Sequence, residues 1–292
     1  MCGIVGLFLK DPALEPELGR LLADMLVVMT SRGPDSAGFA VYGHGEAEHL
    51  KVTVRGPRLD EVEAALADIA TAIRRDTHLV LSFPVSAEEQ VRGWLALNRP
   101  DLVVTGTGKR IELYKEVGLP RQVADRFALP AMRGTHGIGH TRMATESAVT
   151  TDGAHPFSTG RDQCLVHNGS LSNHRSLRRQ LEHEGLTFAT DNDSEVAAGY
   201  ISWRLREGDS LTAALEAGLE DLDGFYTFVV GTGSGFAVLR DPIACKPAVM
   251  AETDDYVAMA SEYRSLAALP GIDGARLWEP EPATVYNWSV AK

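Results

Sequence analysis

The sequence predicts an α+β protein in which β-sheets pack against each other and helices cover their outer faces. Two observations predict this fold class. Short apolar segments typical of strands lie near both ends of the chain, at residues 4–9 and 284–288. Segments with helical spacing lie between them, at residues 194–206 and 211–219. At 292 residues the chain can bury a substantial core without disulfides or metals.

Composition and charge argue against some classes of function. Hydrophobic residues make up 44% and charged residues 23% of the chain, which is ordinary for a globular protein. The 40 acidic side chains exceed the 28 basic ones, and the formal net charge is −12. Nucleic-acid binding needs clustered Lys and Arg side chains that neutralise phosphates. This balance therefore argues against nucleic acid as a main partner.

The cysteines and the N-terminus indicate the compartment. The chain has three scattered cysteines, Cys2, Cys164 and Cys245, which are too few for a disulfide framework or a metal motif. A reducing compartment fits them best, so we expect a cytoplasmic protein. The apolar run at residues 4–9 has no basic segment before it and is too short for a signal peptide or a membrane span. We therefore expect no membrane partner.

The first elements follow from apolar spacing. Residues 4–9 are predicted to form a buried strand that begins almost at the N-terminus. A helix is predicted next, with Glu15 and Glu17 near its start, where acidic groups complement the helix dipole. Its apolar stripe consists of Leu18, Leu21, Leu22, Met25, Leu26 and Met29. Residues 31–38 have the composition of a loop, and residues 39–42 resume a strand.

Residues 44–135 are predicted to form an α/β insertion within one domain that covers residues 2–292. A helical stripe is predicted from Leu59, Val62, Leu66, Ile69 and Ile73. Strands are predicted at residues 78–83 and 101–105, with a helix at 87–97 between them. The segment contains no low-complexity stretch, so it is interpreted as a small subdomain and not as a linker.

Strands return after residue 137, at 138–143 and 164–168. Ser172 is a plausible N-cap for a helix that carries Leu177 and Leu181. Two further helices are predicted at residues 194–206 and 211–219. A hairpin at residues 225–240 and strands at 257–260 and 284–288 complete the prediction.

Cys2 is the first candidate catalytic residue. Cys2 and Gly3 are small, so we expect methionine aminopeptidase to remove Met1. The freed α-amino group has a reference pKa of about 7.7–8.0 and can accept the proton of its own residue's thiol. An incidental cysteine at a strand start is the alternative interpretation, because a buried cysteine is usually inert.

Three further positions offer complementary groups, and each has a structural alternative. Arg142 ends a predicted strand and can bind a carboxylate through two hydrogen bonds, although many arginines at strand ends are only solvated. Asn168 and Gly169 can stabilise an oxyanion, or form an ordinary Asn-Gly turn. Asp193 opens a predicted helix, where it can accept a substrate ammonium or simply cap the helix. Together with Cys2, these groups match an α-amino acid with a side-chain amide, namely glutamine or the shorter asparagine.

Six short motifs along the chain are considered together. They are Met-Cys-Gly-Ile-Val-Gly at 1–6, Arg-Gly-Pro-Asp-Ser-Ala-Gly at 32–38, Gly-His-Thr-Arg-x-Ala-Thr at 139–145, His-Pro at 155–156, His-Asn-Gly at 167–169 and Asp-x-Asp-Ser-Glu at 191–195. In this order they resemble the class II glutamine amidotransferases of the N-terminal-nucleophile hydrolase superfamily. The resemblance covers nearly the whole chain except roughly residues 44–130.

The resemblance implies a four-layer αββα fold and the roles of individual residues. Cys2 would be the nucleophile, with Asn168 and Gly169 at the oxyanion. Arg142 would bind the glutamine α-carboxylate and Asp193 the α-ammonium, in a substrate site that also includes Thr145 and His155. Arg32 and Asp35 would support the loop around Cys2. Two positions depart from the family pattern: Met143 stands where many relatives have Trp, and Glu146 stands where some have His.

The insertion, with Gly-Thr-Gly-Lys-Arg-Ile-Glu-Leu-Tyr-Lys at 106–115, resembles the glutaminase subunits of split glutamate-synthase-like systems, including N-methylglutamate synthase. This implies a hetero-oligomer in which a separate synthase subunit receives the ammonia. Flavin and iron–sulfur clusters would then belong to that partner, because three scattered cysteines cannot hold a cluster in this chain. Two other interpretations remain open: a stand-alone N-terminal-nucleophile amidase, and a non-catalytic regulatory protein that kept the fold.

Overall fold

The computed structural model describes residues 2–144 and 148–290, and its strands form three sheets. In chain order the strands are β1 (Gly3–Leu9), β2 (Ser36–Tyr42), β3 (His49–Arg55), β4 (Thr71–Arg75), β5 (His78–Pro84), β6 (Val103–Gly108), β7 (Ile111–Val117), β8 (His136–Arg142), β9 (Phe157–Gly160), β10 (Gln163–Leu171), β11 (Gly224–Thr232), β12 (Gly235–Arg240), β13 (Val249–Glu252), β14 (Tyr256–Ala260), β15 (Arg276–Trp278) and β16 (Val285–Ser289).

The α-helices lie between these strands. They are α1 (Leu18–Val28), α2 (Leu59–Leu66), α3 (Glu88–Asn98), α4 (Pro120–Arg126), α5 (His174–His183), α6 (Asp193–Arg206) and α7 (Leu211–Asp221). Within the described ranges, every helix is too short or too polar to cross a membrane.

The seven-stranded sheet has the order β15-β13-β14-β1-β8-β2-β7, so β1 lies near its centre. Strand β1 pairs antiparallel with β8 and places Gly3 opposite Thr141. The same strand pairs antiparallel with β14, where Val5 lies opposite Ala260. Because β1 and β8 run in opposite directions, the N-terminal end of β1 meets the C-terminal end of β8. This register brings Cys2 beside Arg142.

The five-stranded sheet has the order β16-β12-β11-β10-β9 and packs against the seven-stranded sheet. Alternation along β1 explains the packing, because successive side chains of a strand point to opposite faces. Ile4 belongs to the core between the two sheets, whereas Val5 and Leu7 belong to the core under α1. In β10, Val166 faces the sheet–sheet core and Leu165 faces the helices.

Helices cover both outer faces of the sheet pair. The outer core of the seven-stranded sheet includes side chains of α1 and α4. The outer core of the five-stranded sheet includes side chains of α5, α6 and α7, such as Leu177, Val196 and Leu215. This layering confirms the predicted four-layer αββα fold.

The four-stranded sheet has the order β4-β5-β3-β6 and a hydrophobic core of its own. Helices α2 and α3 contribute Val62, Leu66, Val91 and Leu95 to that core. The following strand β7 returns to the seven-stranded sheet, where it pairs with β2. The predicted insertion at 44–135 contains this sheet together with β7 and α4, and its bounds stay a prediction.

The prediction that one helical stripe runs from Leu59 to Ile73 is wrong beyond Leu66. Helix α2 ends at Leu66, where the carbonyl oxygen accepts from the backbone N–H groups of Ile69 and Ala70. Ile73 lies on β4 and pairs with Val80 of β5. The spacing of Ile69 and Ile73 therefore mimics a helical repeat across a turn.

The predicted N-cap of α5 is also wrong by one residue. Asn173, not Ser172, occupies the cap position. The N–H of Ser172 donates to the carbonyl of Asp223 at 2.7 Å, which holds Ser172 in the connection from β10. The predicted loop at 31–38 is shorter than expected, since β2 begins at Ser36.

Candidate active site

Cys2 lies directly before β1 and is half-buried at the edge of a cleft of about 880 Å³. Its Sγ lies 4.0 Å from the carbonyl oxygen of Met143. Gly3 permits this position, because a Cβ there would lie 2.8 Å from both Met29 Cβ and Thr141 Oγ1. Predicted site residues from β8, β10, α6 and the segments before β1 and β9 line the cleft, namely Arg142, Gly169, Asp193, Cys2 and His155.

The carbonyl oxygen of Cys2 accepts hydrogen bonds from two predicted site residues. Arg32 donates through Nε at 3.0 Å, and Asn168 donates through Nδ2 at 3.3 Å. Both donors are buried. Arg32 also forms an ion pair with Glu262 at 2.7 Å, and that hydrogen bond, helped by Arg264, lowers the pKa of the Glu262 carboxyl. The structure therefore brings Arg32 and Asn168 to Cys2.

The loop before β2 packs against the end of β8. The Asp35 carboxylate accepts from the N–H of Ala144 at 2.8 Å, and the Asp35 N–H donates to the carbonyl of Arg142 at 3.1 Å. Gly33 allows the close approach, since a Cβ there would lie 2.4 Å from the carbonyl carbon of Thr141. Asp35 thus holds the backbone on both sides of Met143.

Arg142 and Asp193 lie on the same cleft as Cys2. Arg142 is the last residue of β8 and is 7% exposed, and its Nη1 donates to the carbonyl of Ala148 at 3.4 Å. Asp193 begins α6, where Asn192 caps the helix. One oxygen of Asp193 accepts from the N–H of Leu171 at 2.8 Å, which ties α6 to the end of β10.

Three buried histidines cluster at the cleft, where His155 and His167 line it and His140 packs against both. The rings of His140 and His155 stack with centroids 4.0 Å apart, and His140 Nε2 lies 3.0 Å from the carbonyl of His167. Burial lowers the pKa of His140 to about 3 and that of His167 to about 4. Burial also lowers the pKa of His155 well below its usual range. These imidazoles are therefore neutral near neutral pH and add no positive charge to the cleft.

Two residues that were singled out from the sequence lie outside the described residues. They are Thr145, a predicted substrate-binding residue, and Glu146, which departs from the family pattern. His155, the other residue predicted from that region, is 5% exposed. Neither ring nitrogen of His155 has a hydrogen-bond partner among residues 2–144 and 148–290.

Comparisons with known proteins identify the family of this chain. A family profile described as a glutamine amidotransferase domain matches residues 140–268. A glutamine amidotransferase-like protein, GlxB of Rhizobium meliloti, is 60% identical over 299 residues, covering 100% of this chain and 99% of that protein. The chain belongs to the class II glutamine amidotransferase family.

Two further comparisons extend this assignment. A putative glutamine amidotransferase of Methanothermobacter thermautotrophicus is 34% identical over 305 residues, covering 98% of this amidotransferase chain and 100% of that protein. The glutamine phosphoribosylpyrophosphate amidotransferase of B. subtilis superposes with a TM-score of 0.64 at 21% identity. That match covers 99% of this chain and 47% of the B. subtilis chain, and it supports the fold.

The cleft of this class II amidotransferase also contains residues that the sequence did not single out. Lys246 lines it, with Nζ 4.8 Å from the ring centroid of Phe225. The preceding loop is held by Arg240, which donates to the carbonyls of Lys246 and Pro280 at 3.0 Å each. The Arg-Asp-Pro motif at 240–242 was the available signal, but only the folded loop shows that it places a cation beside the cleft.

Gly169→Ala is expected to destabilise the fold by roughly 1–3 kcal/mol, the usual range for strained backbone. Gly169 has φ +157°, and a Cβ there would lie 2.0 Å from the carbonyl oxygen of Phe225. Thermal unfolding would show this as a lower Tm. Gly93→Ala on α3 is the matched control, because nothing lies within 4 Å of its Cβ position among the described residues. Equal Tm values for the two variants would contradict the expectation.

Proposed function

We propose that this chain hydrolyses L-glutamine to L-glutamate and ammonia with Cys2 as the nucleophile, after removal of Met1. The observation that carries the proposal is that Cys2, Arg142 and Asp193 line one cleft, while Asn168 donates to the carbonyl oxygen of Cys2. The thiol of Cys2, the amide of Asn168, the guanidinium of Arg142 and the carboxylate of Asp193 come from different parts of the fold. The same four groups complement the polar groups of glutamine.

Charge explains why glutamine suits the cleft. Arg142 can bind the α-carboxylate through two parallel hydrogen bonds. The second oxygen of Asp193 can accept from the α-ammonium, while its first oxygen is held by Leu171. Glutamine bound between these residues would extend its side-chain amide toward Cys2, and Thr145 and His155 would complete the substrate site. An amide that lacks either the α-carboxylate or the α-ammonium would lose one of these two contacts and would bind less well.

The chemical steps follow from the groups present. The α-amino group of Cys2 accepts the thiol proton, and the thiolate sulfur attacks the amide carbon of glutamine. Asn168 Nδ2 and the Gly169 N–H stabilise the oxyanion of the tetrahedral intermediate. The protonated α-amine then donates to the departing nitrogen, which leaves ammonia and a thioester. Water attacks the thioester with the α-amine as base, and this releases glutamate and regenerates the thiol.

Arg32 and Asp35 are assigned supporting roles. Two donors on the Cys2 carbonyl fix the backbone of the nucleophile, and the Arg32–Glu262 ion pair fixes one of those donors. Asp35 holds Ala144 next to Cys2's neighbour Met143. Such preorganisation matters because a small misplacement of reacting atoms can lower the rate substantially.

The ammonia would pass to a separate synthase subunit in the cytoplasm, in a glutamate-synthase-like or N-methylglutamate-synthase system. The support is the resemblance of the insertion to glutaminase subunits of split systems. Flavin and iron–sulfur clusters would belong to that partner. Capture of a flavin- and cluster-containing partner on the tagged chain, together with glutamine-dependent amination by the complex, would support this assignment. Full glutaminase activity with no partner and no stimulation by one would count against it.

The hydrolysis itself is tested by glutamate release from glutamine by the purified chain, with intact mass measured to establish that Met1 is absent. Asparagine is the matched comparison substrate. We expect glutamine to be preferred, because its longer side chain can span the distance from Arg142 and Asp193 to Cys2. A processed chain that neither binds nor hydrolyses glutamine, alone or with candidate partners, would refute the proposal.

Arg142→Lys is expected to raise the KM for glutamine by about 10- to 100-fold, the equivalent of losing one charge-assisted hydrogen bond. The sharpest readout is discrimination between glutamine and 4-aminobutanamide, which lacks the α-carboxylate. Wild type should prefer glutamine strongly, and the variant should lose most of that preference. Arg121→Lys, an exposed arginine on α4, is the control. Unchanged discrimination in Arg142→Lys would assign carboxylate binding to another residue.

A further inference from the structure

Lys115 is a buried cation that the proposed reaction does not use. It lies on β7, is 7% exposed, and places Nζ 4.3 Å above the ring centroid of Phe157. Its ammonium donates to the carbonyl of Ala154 at 2.7 Å and to that of Asp152 at 3.1 Å. Burial of a lysine ammonium costs free energy unless its N–H groups donate hydrogen bonds. Here both acceptors belong to one turn, residues 150–154.

The 150–154 turn receives two further contacts from neighbouring strands. The Asp152 carboxylate forms an ion pair with Arg55, which lies at the end of β3 in the four-stranded sheet. The hydroxyl of Thr151 donates to Glu116 on β7. Side chains from two different sheets therefore hold one turn by its backbone and by two of its side chains.

The held turn forms one wall of the glutamine cleft. Thr150 and Gly153 both line the cleft. Gly153 packs against Arg142, because a Cβ at Gly153 would lie 3.2 Å from Arg142 Nη1 and 3.2 Å from Thr150 Oγ1. The position of the turn thus limits where the guanidinium of Arg142 can lie.

We propose that Lys115 is a positioning residue for glutamine, whose ammonium group holds the 150–154 turn so that Gly153 fixes the guanidinium of Arg142. Arg55 links the four-stranded sheet to the same turn through its ion pair with Asp152. The inference rests on the proposed glutaminase function and adds a residue that touches neither glutamine nor Cys2.

The charge on Lys115 should matter for the contact, since an ammonium is a stronger hydrogen-bond donor than a neutral amine. Burial lowers the pKa of Lys115 to about 7, against the opposing charges of Asp152 and Glu195. Arg55 and Arg142 act in the same direction as burial. His78 and His155 also face the ammonium, and burial, by lowering the pKa of each, holds both neutral near pH 7. The turn should therefore be held more firmly below pH 7 than above it.

The test compares Lys115→Met with wild type in glutamine hydrolysis. We expect the KM for glutamine to rise by about tenfold or more with kcat within about twofold, because the nucleophile and the oxyanion donors are untouched. The rate of Cys2 alkylation by iodoacetamide should also stay within about twofold. Lys51→Met is the matched control, because Lys51 lies on β3 and its ammonium pairs with Glu112 of β7 instead of the turn.

A second variant guards against misfolding of Lys115→Met. Gly153→Ala keeps the lysine but adds a Cβ close to Arg142, so it should also raise the KM for glutamine.

A pH titration of binding tests the role of the charge on Lys115. In the Cys2→Ala background, the Kd for glutamine should rise between pH 6 and pH 8.5. That pH dependence should be reduced when Lys115→Met is added to the same background.

The outcomes separate the inference from the proposed function. If wild type hydrolyses glutamine and both Lys115→Met and Gly153→Ala keep its KM within about twofold, the positioning role is wrong and the glutaminase function stands. A purely structural lysine would instead lower Tm and the active fraction without moving KM. If wild type itself neither binds nor hydrolyses glutamine, the proposed function fails and the positioning role fails with it.

Discussion

Cys2→Ala is expected to lower kcat for glutamine hydrolysis by about 10⁴-fold or more, the scale seen when a catalytic nucleophile is removed. The other two cysteines of the chain are poorly suited to replace it. Cys164 is buried beside Tyr42, whose hydroxyl lies 3.3 Å from its sulfur, and burial raises the pKa of Cys164 to about 12. Cys245 is exposed. Glutamate release by a processed variant, checked by intact mass, is the measurement.

Binding separates loss of chemistry from loss of structure in Cys2→Ala. Arg142 and Asp193 remain, so the Kd of the variant for glutamine should stay within a few-fold of the wild-type value. Cys245→Ser is the matched control and should hydrolyse glutamine normally, because that thiol is exposed and takes no part in the proposed mechanism. Residual activity of Cys2→Ala above a tenth of wild type would contradict the assignment of the nucleophile.

Asn168→Ala is expected to lower kcat by about 10²- to 10³-fold with little change in KM, as for the loss of one oxyanion donor. Asn168 is 3% exposed and its Nδ2 lies 3.3 Å from the carbonyl oxygen of Cys2, so its amide is fixed next to the nucleophile. Asn168→Asp should be slower still, because a carboxylate repels the developing oxyanion. Steady-state kinetics with glutamine gives both parameters.

The control for Asn168→Ala is Asn287→Ala, an exposed asparagine on β16 whose amide contacts Thr212. It should leave kcat and KM unchanged. A rise in KM with normal kcat in Asn168→Ala would indicate a ground-state binding role and would count against stabilisation of the oxyanion.

Much of the sandwich could be predicted from local pattern. Residues 4–9 and 164–168 have the pattern of buried strands because both faces of β1 and β10 are covered, one by the other sheet and one by helices. Cys2, Arg142, Asn168 and Asp193 stood out because each carries a group that glutamine complements. Their convergence depends on the antiparallel pairing of β1 with β8 and on the packing of β10 and its sheet against them, which no local pattern reveals.

Strand β3 and the buried position of Lys115 were not predicted from the sequence, and each omission has a physical reason. Strand β3, His49–Arg55, alternates polar and apolar residues as a half-buried strand does, but its partners β5 and β6 come later in the chain, so only the folded structure shows its place in a separate sheet. Lys115 could not be predicted as a buried cation. Its acceptors, the carbonyls of Asp152 and Ala154, come from a turn 37 and 39 residues away. Backbone acceptors have no sequence signature, so only the folded chain shows the contact.

The central claim is that Cys2, as the N-terminal residue, carries the glutamyl group during turnover. The most direct test is an acid quench of wild type mixed with glutamine, followed by digestion and mass spectrometry of the N-terminal peptide. We predict a glutamyl thioester on Cys2 of a peptide that lacks Met1, and no such adduct in the Cys2→Ala variant. A glutamyl adduct on any other residue, or active protein that retains Met1, would contradict the account.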